Sequence, residues 1–152
     1  MIDWWCLSVH GILTYFPMIN KARNNLNAAN RIIDANDASI CFASIHCSYY
    51  AVFQYMKYIL AHLKVRPYTY AQQNTGEKSA SHERILLEIQ NRLSLRAEDE
   101  SDFKYSFNFL KKQRQLADYS TTTFTVEECI DIRDLAVRLR STLDSQFKKK
   151  IS

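Results

Sequence analysis

The stretch Ser39–Leu63, with Ala38 before it, reads ASICFASIHCSYYAVFQYMKYILAHL and constrains the fold more than any other part of the chain. Phe42, Ile45, Tyr49, Val52, Met56, Ile59 and Leu63 recur at alternating steps of three and four, so they share one stripe of a 3.6-residue helix. A second series, Ile40, Ala43, Cys47 and Tyr50 with Ala51 beside it, follows the same rhythm about a third of a turn away. A helix apolar nearly all round has to be covered on two sides, by its own bundle or by its bundle and a partner chain. The spacing therefore predicts a long central helix with companions packed around it.

Composition supports the same architecture. The chain has 152 residues, the size of one domain, and is 47% hydrophobic with only two Gly and two Pro. That leaves little turn chemistry for a sandwich or barrel of many short strands. The expected fold is all-α, a roughly antiparallel five-helix bundle. Residues 1–16, aromatic but without a clean period, form an N-terminal arm or short helix. A single helical domain covers 17–148, and 149–152 is a basic tail.

Pro17 suits a first helical turn, and Asn20–Ile33 places Ala22, Leu26, Ala29 and Ile33 on one face, which is helix one. Asp34, Asn36 and Asp37 break it and offer N-caps for the central helix. Lys64–Ser81 contains Pro67, Gly76 and small polar residues and is the longest loop, read as a mobile connector. Its Arg66, Tyr68 and Tyr70 could alternatively order over a ligand. Ser79 or Ser81 can cap a third helix whose buried edge is Ile85, Ile89 and Leu93. Ala97–Ser101 reads as a solvated acidic hinge. Helix four runs from about Asp102 to Asp118, with Phe103, Phe107 and Leu110 inward and Tyr105, Phe109 and Leu116 on the flank. Thr125 and Glu128 form a capping box, with Phe124 and Cys129 placed as a hydrophobic staple. Helix five then buries Cys129, Ile132, Ala136, Leu139, Leu143 and Phe147.

Net charge is +4, with the basic excess at both ends: 6 basic against 3 acidic residues in Met1–Gly76, 4 against 7 in Glu77–Asp102, and 10 against 6 in Phe103–Ser152. Such a balance permits weak contact with phosphate without demanding it. The run Lys148–Lys150 reads as a solvated, frayed tail rather than a nucleic-acid patch. Cys6, Cys41, Cys47 and Cys129 form no C-x-x-C pair and have no His at metal spacing, so four reduced, mostly buried thiols in a cytoplasmic protein are expected. The uncharged runs Trp4–Asn20 and Ala38–Met56 are too polar in content for membrane spans, and no membrane association is expected.

Chemistry has few places to live. With Gly11 and Gly76 as the only glycines, phosphate loops and dinucleotide motifs are excluded, and no metal-ligand cluster is present. The best candidate is Leu110–Ser120, LKKQRQLADYS, where Arg114 and Asp118 face one another four residues apart with Tyr119 at the helix end. Arg before Asp is the weaker order for such a pair, and Asp opposes the dipole at a helix C-terminus. A tertiary or intersubunit role is therefore at least as good a reason for the pair as local helix stability. His82 starts helix three, where it is either a plain surface residue or one aimed at an anion. His46 reads as a satisfied core or interface histidine. Tyr49, Tyr50, Tyr55 and Tyr58 read as core and interface aromatics before base-stacking platforms.

Three pieces stand in a telling order: SYYAVF (Ser48–Phe53), SHERIL (Ser81–Leu86), and RQLADYS followed by FTVEEC (Arg114–Cys129). Together they resemble the HEPN superfamily, in particular small prokaryotic members with a YYA-x-F central helix and an R-x-x-ADY element before the last helix. The resemblance covers Pro17 to Phe147. It implies a bundle of about five helices that commonly dimerises, often beside a minimal nucleotidyltransferase in a toxin and antitoxin pair. Active members are metal-independent endoribonucleases whose motif is an Arg followed four to six residues later by His, two copies meeting across the dimer, with the His acting on the ribose 2′-OH and the Arg on the phosphorane charge.

By this resemblance Arg114 is the matching Arg, but positions 119 to 121 are Tyr, Ser and Thr, and the His is missing. Tyrosine is a poor general base near neutral pH. The expectation is a non-catalytic or partner-dependent module, a homodimer that binds a nucleotidyltransferase, a nucleotide or RNA, with Lys111, Asp118, Ser48 and Tyr49 as the ligand-binding face. The alternative is an endoribonuclease toxin using Arg114 with Tyr119 or His82. A second alternative is a helical interaction scaffold. No cofactor and no metal are implied.

Overall fold

The computed structural model describes residues 17–76 and 81–151. The expected N-terminal arm, with Cys6 and His10, and the cap at Ser79 lie outside the described residues. Six helices occur among them: α1 Pro17–Asp34, α2 Phe42–His62, α3 Tyr70–Gln73, α4 Ser81–Gln90, α5 Ala97–Tyr119 and α6 Val126–Phe147. The protein is all-α. No helix of the described residues is long and apolar enough to cross a membrane.

α2 is the axis, unbroken along its length and in contact with every other helix. Ile45, Tyr49, Val52, Met56, Ile59 and Leu63 of the expected stripe are buried. Each large apolar side chain so removed from water stabilises the fold by about 1.5–3 kcal/mol. Phe42 departs from the stripe, being 44% exposed, and Ile40 is open as well. The cause is local. The Asp37 carboxylate accepts hydrogen bonds from Ser39 N at 2.8 Å and Ser39 Oγ at 2.6 Å, folding 37–41 into a turn. α2 therefore begins at Phe42, three residues later than the periodicity alone predicts, and no side chain caps it. Asp37 caps that turn rather than the helix, while Asn36 closes α1 at φ +51, a conformation its side chain tolerates. Of the second apolar series, Ala43, Cys47 and Tyr50 are half-buried by the chain's own helices.

Ala22, Ala29 and Ile33 of α1 are buried, and Leu26 half-buried. In the described part of the segment after α2, residues 68–73 are tied back to the helix. Tyr68 N donates to Leu60 O at 2.7 Å, and the buried Gln73 amide donates to Lys57 O at 2.9 Å and Tyr68 O at 2.7 Å. Thr69 and Gln72 make the capping box of α3. Gly76 sits at φ +79, and a Cβ there would run into the Arg84 guanidinium. Tyr68 and Tyr70 fold inward instead of reaching out, and burial pushes the Tyr70 phenol up to about 12.

Ala97–Ser101 is no hinge. It is the first turn of α5, where Glu98, Asp99 and Glu100 face the positive end of the helix dipole. Phe103, Phe107 and Leu110 point into the core, and Tyr105 and Phe109 stay exposed. Ahead of α6, Thr125 Oγ1 accepts from Glu128 N at 3.1 Å and Thr125 N donates to Glu128 Oε2 at 2.8 Å. All six core positions expected for this helix are buried. Residues 148–151 turn back against the exit of α2, where Lys64 N donates to Lys150 O at 2.9 Å and Leu63 bridges Ile151, while Lys148, Lys149 and Lys150 stay exposed.

Candidate functional site

The C-terminal turns of α5 lie against the first half of α2 and the start of α4, and most of the candidate residues meet there. Arg114 is the hub. Its side chain is 15% exposed and its Nε lies 2.7 Å from Asp118 Oδ2, an ion pair by distance although the N–H does not point along it. Nη2 donates to the Tyr50 hydroxyl at 3.2 Å and to the Tyr119 hydroxyl at 3.4 Å. The guanidinium carbon stands 5.9, 5.4 and 5.2 Å from the ring centroids of Tyr49, Tyr50 and Tyr119, so three electron-rich faces surround the cation. Nη1 has no hydrogen bond to any described residue. Tyr119, the last residue of α5, is 76% exposed and covers the guanidinium from the solvent side.

Asp118 also serves a second helix. His46 Nδ1 lies 3.1 and 3.0 Å from its two oxygens, and the imidazole leans on Tyr50 at 4.7 Å between centroids. A carboxylate can only accept, so Nδ1 carries the proton, and in the neutral ring Nε2 keeps its lone pair. The tertiary role expected for the Arg114 and Asp118 pair is thus filled by a side chain of α2. Spacing along the sequence held no signal for this contact, since the two residues are 72 apart.

His82 reaches the same cluster from α4. Its Nδ1 meets the Tyr49 hydroxyl, and its ring stacks on Phe53 at 4.2 Å with an interplanar angle of 6°. Burial, then Lys111 and Arg114, hold its pKa below the ordinary histidine range, so at neutral pH it is uncharged. Burial pushes the Tyr49 phenol up, which keeps its proton available to donate to Nδ1 and leaves the His82 proton on Nε2. Tyr49 itself is fully buried between His82, Phe107 and Arg114. It is a core residue that joins the site from below.

The other ligand-binding candidates separate. Lys111 pairs with Glu83, whose pKa is held low chiefly by that bond. Ser48 is fully buried, and its Oγ has no hydrogen-bond partner among the described residues, so it is closed to a ligand. Clefts of about 360, 790, 520 and 210 Å3 open elsewhere on the surface, and none is lined by Arg114, Asp118, Tyr119 or His82. Among the described residues no three His, Cys, Asp or Glu side chains are grouped to hold a metal ion.

What this arrangement can do is limited by charge and access. A half-buried Arg with one free edge can take one phosphate oxygen once Tyr119 turns aside, and the His46 imidazole, held through Nδ1 by the same Asp118, stands beside it. No family model, curated protein or solved structure matches the chain.

Proposed function

We propose that this chain is a HEPN-type helical module that binds a phosphate-bearing ligand, RNA or a nucleotide, at the Arg114 end of its bundle without catalysing cleavage. The observation that carries this reading is the setting of Arg114. Its charge is already met by Asp118 at 2.7 Å, its Nη1 is uncommitted, and an exposed tyrosine rather than a histidine stands over it. An arginine so neutralised can position a phosphate but offers less charge to a transition state. Ile40 and Phe42, open at the start of α2, supply apolar surface for a second copy or a nucleotidyltransferase-type partner, in keeping with a toxin and antitoxin role.

One observation favours a metal-independent endoribonuclease as the second reading. His46, oriented by Asp118 beside Arg114, has the relation of a general base to an orienting carboxylate and an electrophilic cation. In that reaction Nε2 would take the ribose 2′-OH proton, the 2′-oxygen would bond to phosphorus as the P–O5′ bond breaks, Arg114 would face the phosphorane, and the 5′-oxygen would leave with a proton from the His46 imidazolium or from water.

Purified protein is incubated with RNA, wild type beside Arg114→Ala and His46→Ala. RNA retention that Arg114→Ala abolishes, with intact RNA throughout, is the expected result. Cleavage to 2′,3′-cyclic phosphate ends that both substitutions abolish would establish the second reading. Neither retention nor cleavage would leave the scaffold reading in their place. Light scattering on the same samples tests the homodimer, and a monomer at high concentration would remove it.

A further inference from the structure

A convex tip and a concave cleft, set toward the two ends of α6, match one another in charge and polarity. The tip is the turn after α2, where Lys64, Val65 and Arg66 follow in sequence and all are exposed. Val65, at 76%, is the barest large aliphatic side chain among the described residues. Neither Lys64 nor Arg66 pairs with a carboxylate among them. Main-chain bonds pin the turn on both sides, Lys64 N donating to Lys150 O at 2.9 Å and Tyr68 N to Leu60 O at 2.7 Å. Arg66 is held at φ +52, a left-handed conformation uncommon for a long side chain. Backbone strain kept at an exposed tip serves no core packing and marks a functional segment.

The cleft, about 520 Å3, opens between α5 and α6. It lies about 24 Å from the tip, counted along α6 from Asp131 to Phe147 at the rise of an α-helix. Phe109, 40% exposed, and the half-buried Phe124 and Leu135 give it an apolar wall. Glu128, Asp131 and Asp134 rim it against a single cation, Arg138, so negative charge is in excess. Arg133 answers Asp134, and the Thr125 backbone N–H donates to Glu128. Asp131 is left as the exposed carboxylate with no ion pair to a described residue.

An apolar side chain between two cations is the complement of an apolar wall beside an unmet carboxylate. We propose that the Lys64–Arg66 tip of one copy of this chain seats in the α5–α6 cleft of a second copy, Val65 against Phe109 and Leu135 and a cation against Asp131. Tip and cleft lie apart on one chain, so the contact is heterologous. Each added copy leaves one tip and one cleft free, and copies join head to tail. The contact shares no residue with the Arg114 site or with Ile40 and Phe42, so it holds or fails apart from the function proposed above.

Sedimentation velocity on the full chain tests it. Between about 5 μM and about 500 μM chain, at about 50 mM salt, the mean mass should climb past two chains, and about 500 mM salt should lower it because exposed ion pairs are screened. Lys64→Glu combined with Arg66→Glu, and separately Asp131→Lys, should each stop the climb. Their thermal midpoints should stay near wild type, since all three positions are exposed. Val65→Ser should weaken assembly with no change of charge. Mixed in equal amounts, the tip variant and the cleft variant should assemble again, because the intact tip of one meets the intact cleft of the other. The proposal is overturned by a wild-type mass that stays constant or stops at two chains regardless of salt, which would leave the cleft to another protein. It is overturned equally by either variant assembling alone as wild type does, or by a mixture no larger than its parts.

Discussion

His46 of α2 and Asp118 of α5, 72 residues apart in the chain, lie side chain to side chain at 3.0 Å. The same carboxylate holds Arg114 Nε at 2.7 Å, so one acid joins two basic groups from different helices where α5 ends. Asp118→Ala leaves the Arg114 guanidinium without its counter-ion at 15% exposure, and should destabilise the fold by about 1–3 kcal/mol. Asp118→Asn, which can still accept a hydrogen bond, should be milder. Urea unfolding of the two variants separates them. A double-mutant cycle with His46→Ala should show coupling of about 0.5 kcal/mol or more.

His82 gives the fold a pH dependence whose sign follows from its setting. Its folded pKa lies below the 6.5 of the free side chain, chiefly through burial, then through Lys111 and Arg114. Between those two values the unfolded chain binds more protons than the folded one. The contribution is therefore complete above pH 6.5 and is lost as pH falls from there through the folded value. Urea midpoints of wild type should drop between pH 7.5 and pH 5.5, and His82→Gln should flatten that part of the drop.

Ser48→Ala should leave stability unchanged or raise it by up to about 1 kcal/mol, because it deletes a fully buried hydroxyl that has no partner among the described residues. RNA retention by the same variant should equal wild type. A clear loss of either would show that the hydroxyl is engaged.

Thr125→Ala removes one half of the capping box at the start of α6. A loss of about 1 kcal/mol is expected, seen as a thermal midpoint lower by about 3 °C. Thr125→Ser should retain most of the stability.

Legibility in the sequence followed the range of the physics involved. α6 was fully legible because a capping box set its start and a 3.6 period ran unbroken from Cys129 to Phe147. The acidic turn Glu98–Glu100 looked like a solvated hinge because charge density marks exposure, yet the same residues fit the positive end of a helix. Phe42 was assigned to the buried stripe because periodicity cannot register a competing turn, and the Asp37 carboxylate on Ser39 supplies one. At the candidate site, Arg114, Asp118 and Tyr119 were visible together, being within five residues on one helix. His46 was not, since its partner is set by how α2 and α5 dock. Tyr49 was readable as core but not as the link from Arg114 to His82.

Because α2 touches all five of the other described helices, none of them can leave without exposing part of it. Amide protons in its middle, around Val52 and Met56, should exchange with solvent only when the entire molecule melts, and so report its global stability directly. Inherited or engineered damage anywhere in the bundle would register at that one spine.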